Sequence, residues 1–268
     1  MTDTQITRHQ SVRLEFSTEV ADGLFLSRFH APDLARLARP GQFVQLKLTP
    51  ENVTVPYLRI PLSVADVDAD AGTADVIFED LGPKSHALRA VHAGESIGCI
   101  GPLGNGFPSD AGGRPILVGG GIGVPPLLFH GRQLRGAGAE TVFLVGAKTA
   151  VKHLPVEMLL QSSVEARLAT DDGSVGHHGL VTDLLADIAG PDNVVYTCGP
   201  HGMMAAVARL SAERGTTCYA SLEEYMACGF GVCVGCVVPR AGEVETEYHR
   251  YTRVCVDGPV YHTREIAW

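Results

Sequence analysis

The rhythm of apolar and polar positions changes twice along this chain and divides it into three parts. In residues 1–110, short apolar or alternating runs recur at 11–16, 23–29, 42–48 and 74–78. Pro40-Gly41, Pro56, Gly72 and Gly82-Pro83 punctuate them. Alternation with a period of two, broken by turn-forming residues, marks half-buried strands. Many short strands with no helices between them predict a small antiparallel β-barrel, with residues 84–91 as its one short helix.

The pattern shifts at Gly112-Gly113-Arg114 and holds a new character through residues 111–217. An apolar run at 115–118 leads into Gly119-Gly120-Gly121-Ile122-Gly123 and then a helical pattern over 125–135. Strand-like runs at 141–145, 166–170 and 193–197 follow, with helical stretches at 180–188 and 202–213. Strands alternating with helices predict a parallel sheet with crossover helices. Residues 218–268 change again, to Cys–Gly-rich turns and strand-like pieces at 236–239 and 254–261. The fold class is therefore multidomain: an antiparallel β-barrel, an α/β parallel-sheet domain and a small C-terminal domain.

Composition narrows the functions this fold can serve. The chain has 268 residues, 45% of them hydrophobic and 19% charged, which is ample for full cores. A net charge of −9 with no Lys/Arg run excludes nucleic-acid binding through a basic surface. Residues 1–10 lack the basic and apolar regions of a secretory signal, and no apolar stretch approaches the ~18 residues of a membrane span. A cytoplasmic location is expected. In such a reducing setting, clustered cysteines bind metal instead of pairing as disulfides.

Of the seven cysteines, Cys228, Cys233, Cys236 and Cys255 stand in the spacing C-x4-C-x2-C-x18-C. This is the plant-type [2Fe–2S] arrangement, in which a glycine-rich loop wraps the cluster and a distant cysteine closes it. Thiolates suit the task because sulfide-bridged iron prefers soft anionic donors. Gly229, Gly231 and Gly235 allow close backbone approach, with N–H groups turned toward sulfur. Zinc is the rival ligand, but structural zinc favours two CxxC-like knuckles and only Cys233/Cys236 forms one. Three buried free cysteines plus a stray one, falling into this spacing by chance, is the least favoured alternative. Cys99 and Cys218 stand alone in apolar contexts and read as small buried hydrophobes.

Two glycine-bearing loops suggest a nucleotide cleft. The first contains Gly120, Gly121 and Gly123, where a strand passes into a helix, a placement that sets phosphate oxygens against backbone N–H groups. By itself it reads equally well as a tight βα turn. The second, Cys198, Gly199 and Pro200, ends another apolar strand, and open α/β sheets bind ligands outside the carboxyl ends of their strands. Cys198 would then lie near a nicotinamide. A third segment, Arg59, Ile60, Pro61, Leu62 and Ser63, offers an arginine able to clamp a diphosphate and a hydroxyl able to meet a flavin edge. On its residues alone it is a proline-stiffened strand.

Taken together, these motifs resemble a known family. The stretch Ser221-Leu222-Glu223-Glu224-Tyr225-Met226-Ala227-Cys228, with the cysteine loop after it, resembles the electron-transfer subunit of class 1B dihydroorotate dehydrogenases, within the ferredoxin reductase-like flavoproteins. So do residues 253–260, the Gly-Pro-Leu-Gly-Asn-Gly-Phe turn at 101–107, residues 119–126, and residues 176–185 with their His-Gly-Leu-Val-Thr-Asp core. The resemblance implies FAD on the barrel, NAD at the α/β domain and the cluster facing a separate FMN-containing catalytic subunit, in a heterotetramer. Electrons would pass from dihydroorotate through FMN, cluster and FAD to NAD⁺. It also implies FAD contacts at Arg59, Ile60, Pro61, Leu62 and Ser63, then at Ile77, Phe78, Glu79, Lys84 and Ser85.

Two positions depart from the family pattern. Ile60 replaces the second of two arginines before the proline, and Lys84-Ser85 replaces a Gly-Thr pair. One arginine fewer beside a diphosphate removes a charge-assisted bond of roughly 1.5–3 kcal/mol, which Lys84 can offset. The departures admit an alternative partner, with the chain as an NAD(P)H-dependent reductase component of another oxidoreductase. A zinc-stabilised regulatory protein is the non-enzymatic alternative. No acid–base triad is expected in this chain, because electron transfer rests on the cofactors. His177 and His178 read as solvated loop residues, and Glu223 and Glu224 as cap or surface charge that could tune a partner interface.

Overall fold

The computed structural model describes residues 8–48, 58–242 and 246–268; Pro56, the first seven residues and 243–245 lie outside the described residues. The barrel strands are β1 (Arg8–Ala21), β2 (Leu24–His30), β3 (Phe43–Lys47), β4 (Ile60–Asp68), β5 (Thr73–Glu79) and β6 (Ser96–Leu103). Two short helices interrupt them, α1 (Pro32–Leu37) and α2 (Pro83–Arg89), where one helix was expected. Both open with proline at the first turn, where a missing N–H leaves no bond unmade. The strands close in the order β1-β2-β5-β4-β3-β6. Alternation sends Val12, Leu14, Val44, Leu46, Val64, Val76 and Cys99 inward to one shared core. Arg59 to Ser63 lie at the start of β4, not at the end of a strand.

The remaining elements are β7 (Arg114–Gly120), α3 (Val124–Gly136), β8 (Val142–Ala147), α4 (Val156–Ser162), β9 (Glu165–Thr170), β10 (His177–His178), α5 (Val181–Ala186), β11 (Asn193–Cys198), α6 (His201–Glu213), β12 (Thr217–Ser221), β13 (Val237–Pro239), β14 (Tyr251–Arg253) and β15 (Val260–His262). Seven of these strands form one sheet in the order β10-β9-β8-β7-β11-β12-β15, parallel except for the β12–β15 pair. The chain starts at β7, steps outward to β8 and β9, then returns to the other side of β7 as β11. The order therefore reverses between β7 and β11, a switch point that opens a crevice at the strands' carboxyl ends.

Two boundaries differ from expectation. The strand expected over 254–261 is broken: β14 ends at Arg253, a turn carries Cys255, and β15 begins at Val260. The sheet also runs across position 217, since β12 and β15 both belong to it.

The parts share cores. Helix α3 lies between sheet and barrel, so Leu127 and Leu128 pack with Leu117 and Tyr196 on one side while Phe129 joins the barrel core on the other. Its Arg132 pairs with Asp66 of β4 and reaches Gln161 Oε1 at 2.9 Å. Burial alone would raise the Asp66 pKa most, and the Arg132 charge counters it. Gly131 brings α3 against α4: a β-carbon there would strike the Ser162 carbonyl and come within 2.7 Å of Leu117 Cδ1.

Gly131→Ala sets helix propensity, which favours Ala by about 1 kcal/mol, against overpacking of about 1–3 kcal/mol. Because backbone blocks the added methyl, a net loss of about 1–2 kcal/mol is expected. It would be read as a lower urea midpoint with an unchanged m-value; an unchanged midpoint would mean that α3 shifts to accommodate the methyl.

Candidate redox site

Three features converge where barrel, sheet and C-terminal segment meet. The first is an apolar cavity of about 290 Å³ beside the start of β4. Ile60, Pro61, Leu62 and Ser63 line it from β4, and Ile77, Phe78 and Glu79 from the end of β5. Its other wall was not foreseen: Ser221 ends β12, Leu222, Glu223 and Glu224 follow it, and Met226 stands two residues before the first clustered cysteine. The signal for these residues lay in β12 itself, a strand of the same sheet whose Ser221 pairs opposite Cys198.

Arg59, Lys84 and Ser85 lie outside this cavity. The Arg59 guanidinium approaches the Gly98 carbonyl at 3.3 Å and the Gln45 carbonyl at 3.5 Å, both weak contacts. Lys84 Nζ donates to the Arg59 carbonyl at 3.1 Å, so the two cations share one barrel corner. The Ser85 hydroxyl serves its own turn, accepting from the Leu81 and Gly82 N–H groups at 2.9 Å.

The second feature is a cleft of about 510 Å³ at the switch point. Gly120, Gly121 and Pro200 line it, with Lys148, Lys152 and Asp171 at its polar wall. Gly121 has φ +53° and open space within 4 Å of its missing side chain, so its backbone is bare to the cleft. Gly123, Cys198 and Gly199 lie beneath. A β-carbon on Gly123 would collide with the Cys198 carbonyl and the Gly199 nitrogen, so here glycine packs the two loops together. Cavity and cleft meet at Ile122 and Glu79, which line both.

Cys198 is fully buried, and its thiol faces Glu223 Oε1 at 3.8 Å. Burial and then the Glu223 charge push the Cys198 thiol far above its ordinary value, which keeps it protonated. Glu223 is exposed at the cavity mouth, yet protein packs round its carboxyl closely enough that desolvation raises its pKa. Burial likewise pushes Cys99 and Cys218 up to about 12, which makes them inert hydrophobes. His177 and His178 are exposed on β10, and His177 Nε2 meets Asp183 Oδ2 at 3.0 Å.

The third feature is the cysteine loop. Its thiols fall into two pairs: the Cys233 N–H points at Cys228 Sγ at 3.5 Å, and the Cys255 N–H at Cys236 Sγ at 3.4 Å. Cys236 and Cys255 are buried, whereas Cys233 is exposed. Burial would raise the Cys228 thiol, but backbone N–H groups of Cys233 and Phe230 outweigh it and bring the value down to about 6. Burial and Cys236 push Cys255 up to about 12. Val234, at φ 54°, is the one positive-φ residue other than glycine among the described residues. Such strain in a β-branched residue persists where its surroundings impose it, and here it sits between two of the cysteines. Among the described residues no three Cys, His, Asp or Glu side chains surround a single point as a metal cage. Two thiol pairs served by N–H donors suit two irons, and so the donor set fits a [2Fe–2S] cluster.

Comparison with known proteins agrees with this chemistry. The iron–sulfur cluster binding domain of dihydroorotate dehydrogenase B matches residues 223–267. A Bacillus velezensis protein named dihydroorotate dehydrogenase B (NAD(+)), electron transfer subunit is 35% identical over 95% of this chain and 97% of its own length. The chain belongs to this family of electron-transfer subunits. A Geobacillus thermodenitrificans member of the same name is 40% identical over 87% of this chain and 89% of its own. The solved structure of an NADH-dependent reduced ferredoxin-NADP oxidoreductase superposes with a TM-score of 0.83 at 29% identity, covering 96% of this chain and 90% of that one. The ferredoxin reductase-like arrangement of barrel and parallel sheet is thus shared, and within the family the cysteine loop is an iron–sulfur site, not a zinc knuckle.

A carboxyl whose folded-state pKa is raised favours folding in its protonated form. The Glu223 contribution is therefore full below its ordinary value of 4.5 and is lost as pH rises through the folded-state value. Glu223→Gln is expected to gain stability over the parent near pH 7 and to lose that advantage near pH 4.5. Urea unfolding across this range checks it, and a difference independent of pH would place the carboxyl in ordinary solvent.

Proposed function

We propose that this chain passes electrons between an FMN-containing dihydroorotate dehydrogenase catalytic subunit and NAD⁺, in the cytoplasm, within a heterotetramer. One observation carries the reading: cleft, cavity and cysteine loop share walls, through Ile122 and Glu79 on one side and Met226 on the other. Segments 1–110, 111–217 and 218–268 then serve as the FAD, NAD and [2Fe–2S] units. When bound, the cluster handles single electrons, hydride transfer to NAD⁺ takes two, and FAD links the two regimes.

The chain's own residues bind, orient and exclude water. Cys228, Cys233, Cys236 and Cys255 hold the irons as thiolates, helped by the N–H groups that already point at sulfur. Ile60, Pro61, Leu62, Ile77 and Phe78 keep the flavin ring dry, and Ser63 offers it a hydroxyl. At about 290 Å³ the cavity is at the low end for ligand sites, so it takes a ring system and leaves the diphosphate to Arg59 and Lys84 outside. Gly121 bares its backbone to the nucleotide, while Gly120 packs against Met203 and Pro200 at the cleft wall. Lys148 and Lys152 supply positive charge there. Cys198, held protonated, packs beneath the nicotinamide position as a neutral group.

The surface round the cysteine loop supports docking of a catalytic subunit. Phe230, Val232, Val234 and Tyr225 stand 46%, 75%, 48% and 95% exposed, an apolar collar about the more exposed cysteine pair. Contiguous apolar side chains at a redox centre suit a protein partner that covers the centre and dries it.

Visible absorption of anaerobically purified protein, with iron and sulfide analysis, tests the reading. Flavin bands with a broad longer-wavelength shoulder, and two irons and two sulfides per chain, are expected by analogy with Cys-ligated [2Fe–2S] sites. Zinc without flavin would overturn it. Cys233→Ser is expected to remove the cluster absorbance while leaving the flavin bands. Arg59→Ala is expected to weaken FAD retention about 10- to 100-fold, the loss of one charge-assisted bond, measured by flavin release on dilution; unchanged retention would remove Arg59 from the site.

A further inference from the structure

Strand β3 carries a buried polar group for which the fold offers no partner. Phe43, at the start of β3, lines the flavin cavity and packs in one core with Cys236 and Cys255. Two residues on, Gln45 lies opposite Pro61 of the flavin segment. Its relative exposure is 0%, and neither its Nε2 nor its Oε1 has a hydrogen-bond partner. Buried primary amides are almost always paired, because an unmade bond in the interior forfeits the hydration given up to reach it. Among the described residues, His130 is the other side chain with both polar atoms orphaned. Its ring lies between Phe107 and Tyr196, at centroid distances of 4.8 and 4.3 Å, with only aromatic neighbours to either side.

Gln45 has a different neighbour. Its side chain rests on the backbone of Gly229, the residue after the first clustered cysteine. A β-carbon on Gly229 would collide with Gln45 Nε2 and come within 2.7 Å of Cγ and 2.9 Å of Cδ. Gly229 itself stands at φ +80°. The loop thus holds a bare α-carbon at the one place where the barrel presses an unpaired amide against it.

We propose that the Gln45 side-chain amide donates an N–H to a sulfur of the cluster held at Cys228 and thereby raises its reduction potential. The inference rests on the [2Fe–2S] assignment above. Reduction adds one electron, and the extra negative charge spreads onto the sulfurs. A donor aimed at them in a dry interior stabilises the reduced state more than the oxidised one. Gln45 touches neither substrate nor the reacting nicotinamide; it acts through the cluster, as a tuning residue on the side that faces the flavin cavity.

The test is a redox titration of the holoprotein, followed by electron paramagnetic resonance, for the parent and Gln45→Met, which keeps the length of the chain and removes the donor. Iron, sulfide and flavin content are expected to match the parent. At a fixed applied potential the reduced-to-oxidised ratio of the cluster should fall about tenfold, a midpoint about 59 mV lower for a one-electron couple. An unchanged midpoint with the cluster intact overturns the proposal.

A second measurement does not depend on the variant folding. Protein labelled with ¹⁵N in its glutamine side chains should show, by pulsed resonance on the reduced cluster, a ¹⁵N coupling absent from unlabelled protein. A reduced cluster with no such coupling overturns the proposal for Gln45 alone. A parent protein with no [2Fe–2S] signal at all overturns the cluster assignment, and the proposal with it.

Discussion

Everything at the redox site depends on how the cysteine-bearing segment is anchored. Its own sheet has only two short strands, β13 and β14, too little to stand alone in water. Both ends of the segment are instead tied to larger structure, since β12 leads into it from the seven-stranded sheet and β15 returns to pair with β12. The barrel supplies the third tie. Asn105 acts as a short piece of strand, donating from Nδ2 to the Val260 carbonyl at 2.8 Å and accepting the Val260 N–H at Oδ1, 2.9 Å. Its backbone N–H reaches the Gly258 carbonyl at 2.6 Å. Gly104, at φ +72°, lets this turn close against Pro259, where any side chain would collide. The Gly-Pro-Leu-Gly-Asn-Gly-Phe turn is thus the clamp that fixes the cluster loop to the barrel.

That clamp sets the order of the three sites. With the loop held against β3 and β12, Met226 closes the far wall of the cavity beside β4, and Phe43 packs into the core that buries Cys236 and Cys255. On the opposite side, α3 brings the glycine loop to the cavity edge, where Ile122 belongs to both spaces. Lys152 fastens this junction across the barrel boundary, bonding Asp22 at 3.1 Å and Glu79 at 3.3 Å. Partly exposed ion pairs of this kind hold register more than they add stability.

Charge is organised locally against an acidic whole. The chain carries a net charge of −9, yet cations gather locally in pairs: Arg59 with Lys84 at the barrel corner, Lys148 with Lys152 in the cleft. Focused fields of this kind act within a Debye length of about 8–10 Å. Positive charge confined to such pairs leaves the surface as a whole acidic. Around the cysteines the protein uses neutral donors instead, backbone N–H groups and an apolar collar, as suits a centre whose charge must change by one.

The sequence by itself determined what is local. A period of two marked the barrel strands, strand–helix alternation marked the parallel sheet, and the spacing of Cys228, Cys233, Cys236 and Cys255 announced the cluster, because backbone geometry and ligand reach are written in short intervals. Helix α1 escaped notice because six residues are too few to show a helical period. The break at Cys255 was hidden because apolar residues flank it on both sides. Only the tertiary structure decided that Glu223 lines the cavity beside β4 and meets the Cys198 thiol, and that Asn105 clamps Val260. Only the folded chain could press Gln45 onto Gly229. These contacts join residues far apart in the chain, and they arise from the shapes of packed surfaces, which leave no periodic trace in either partner's own segment.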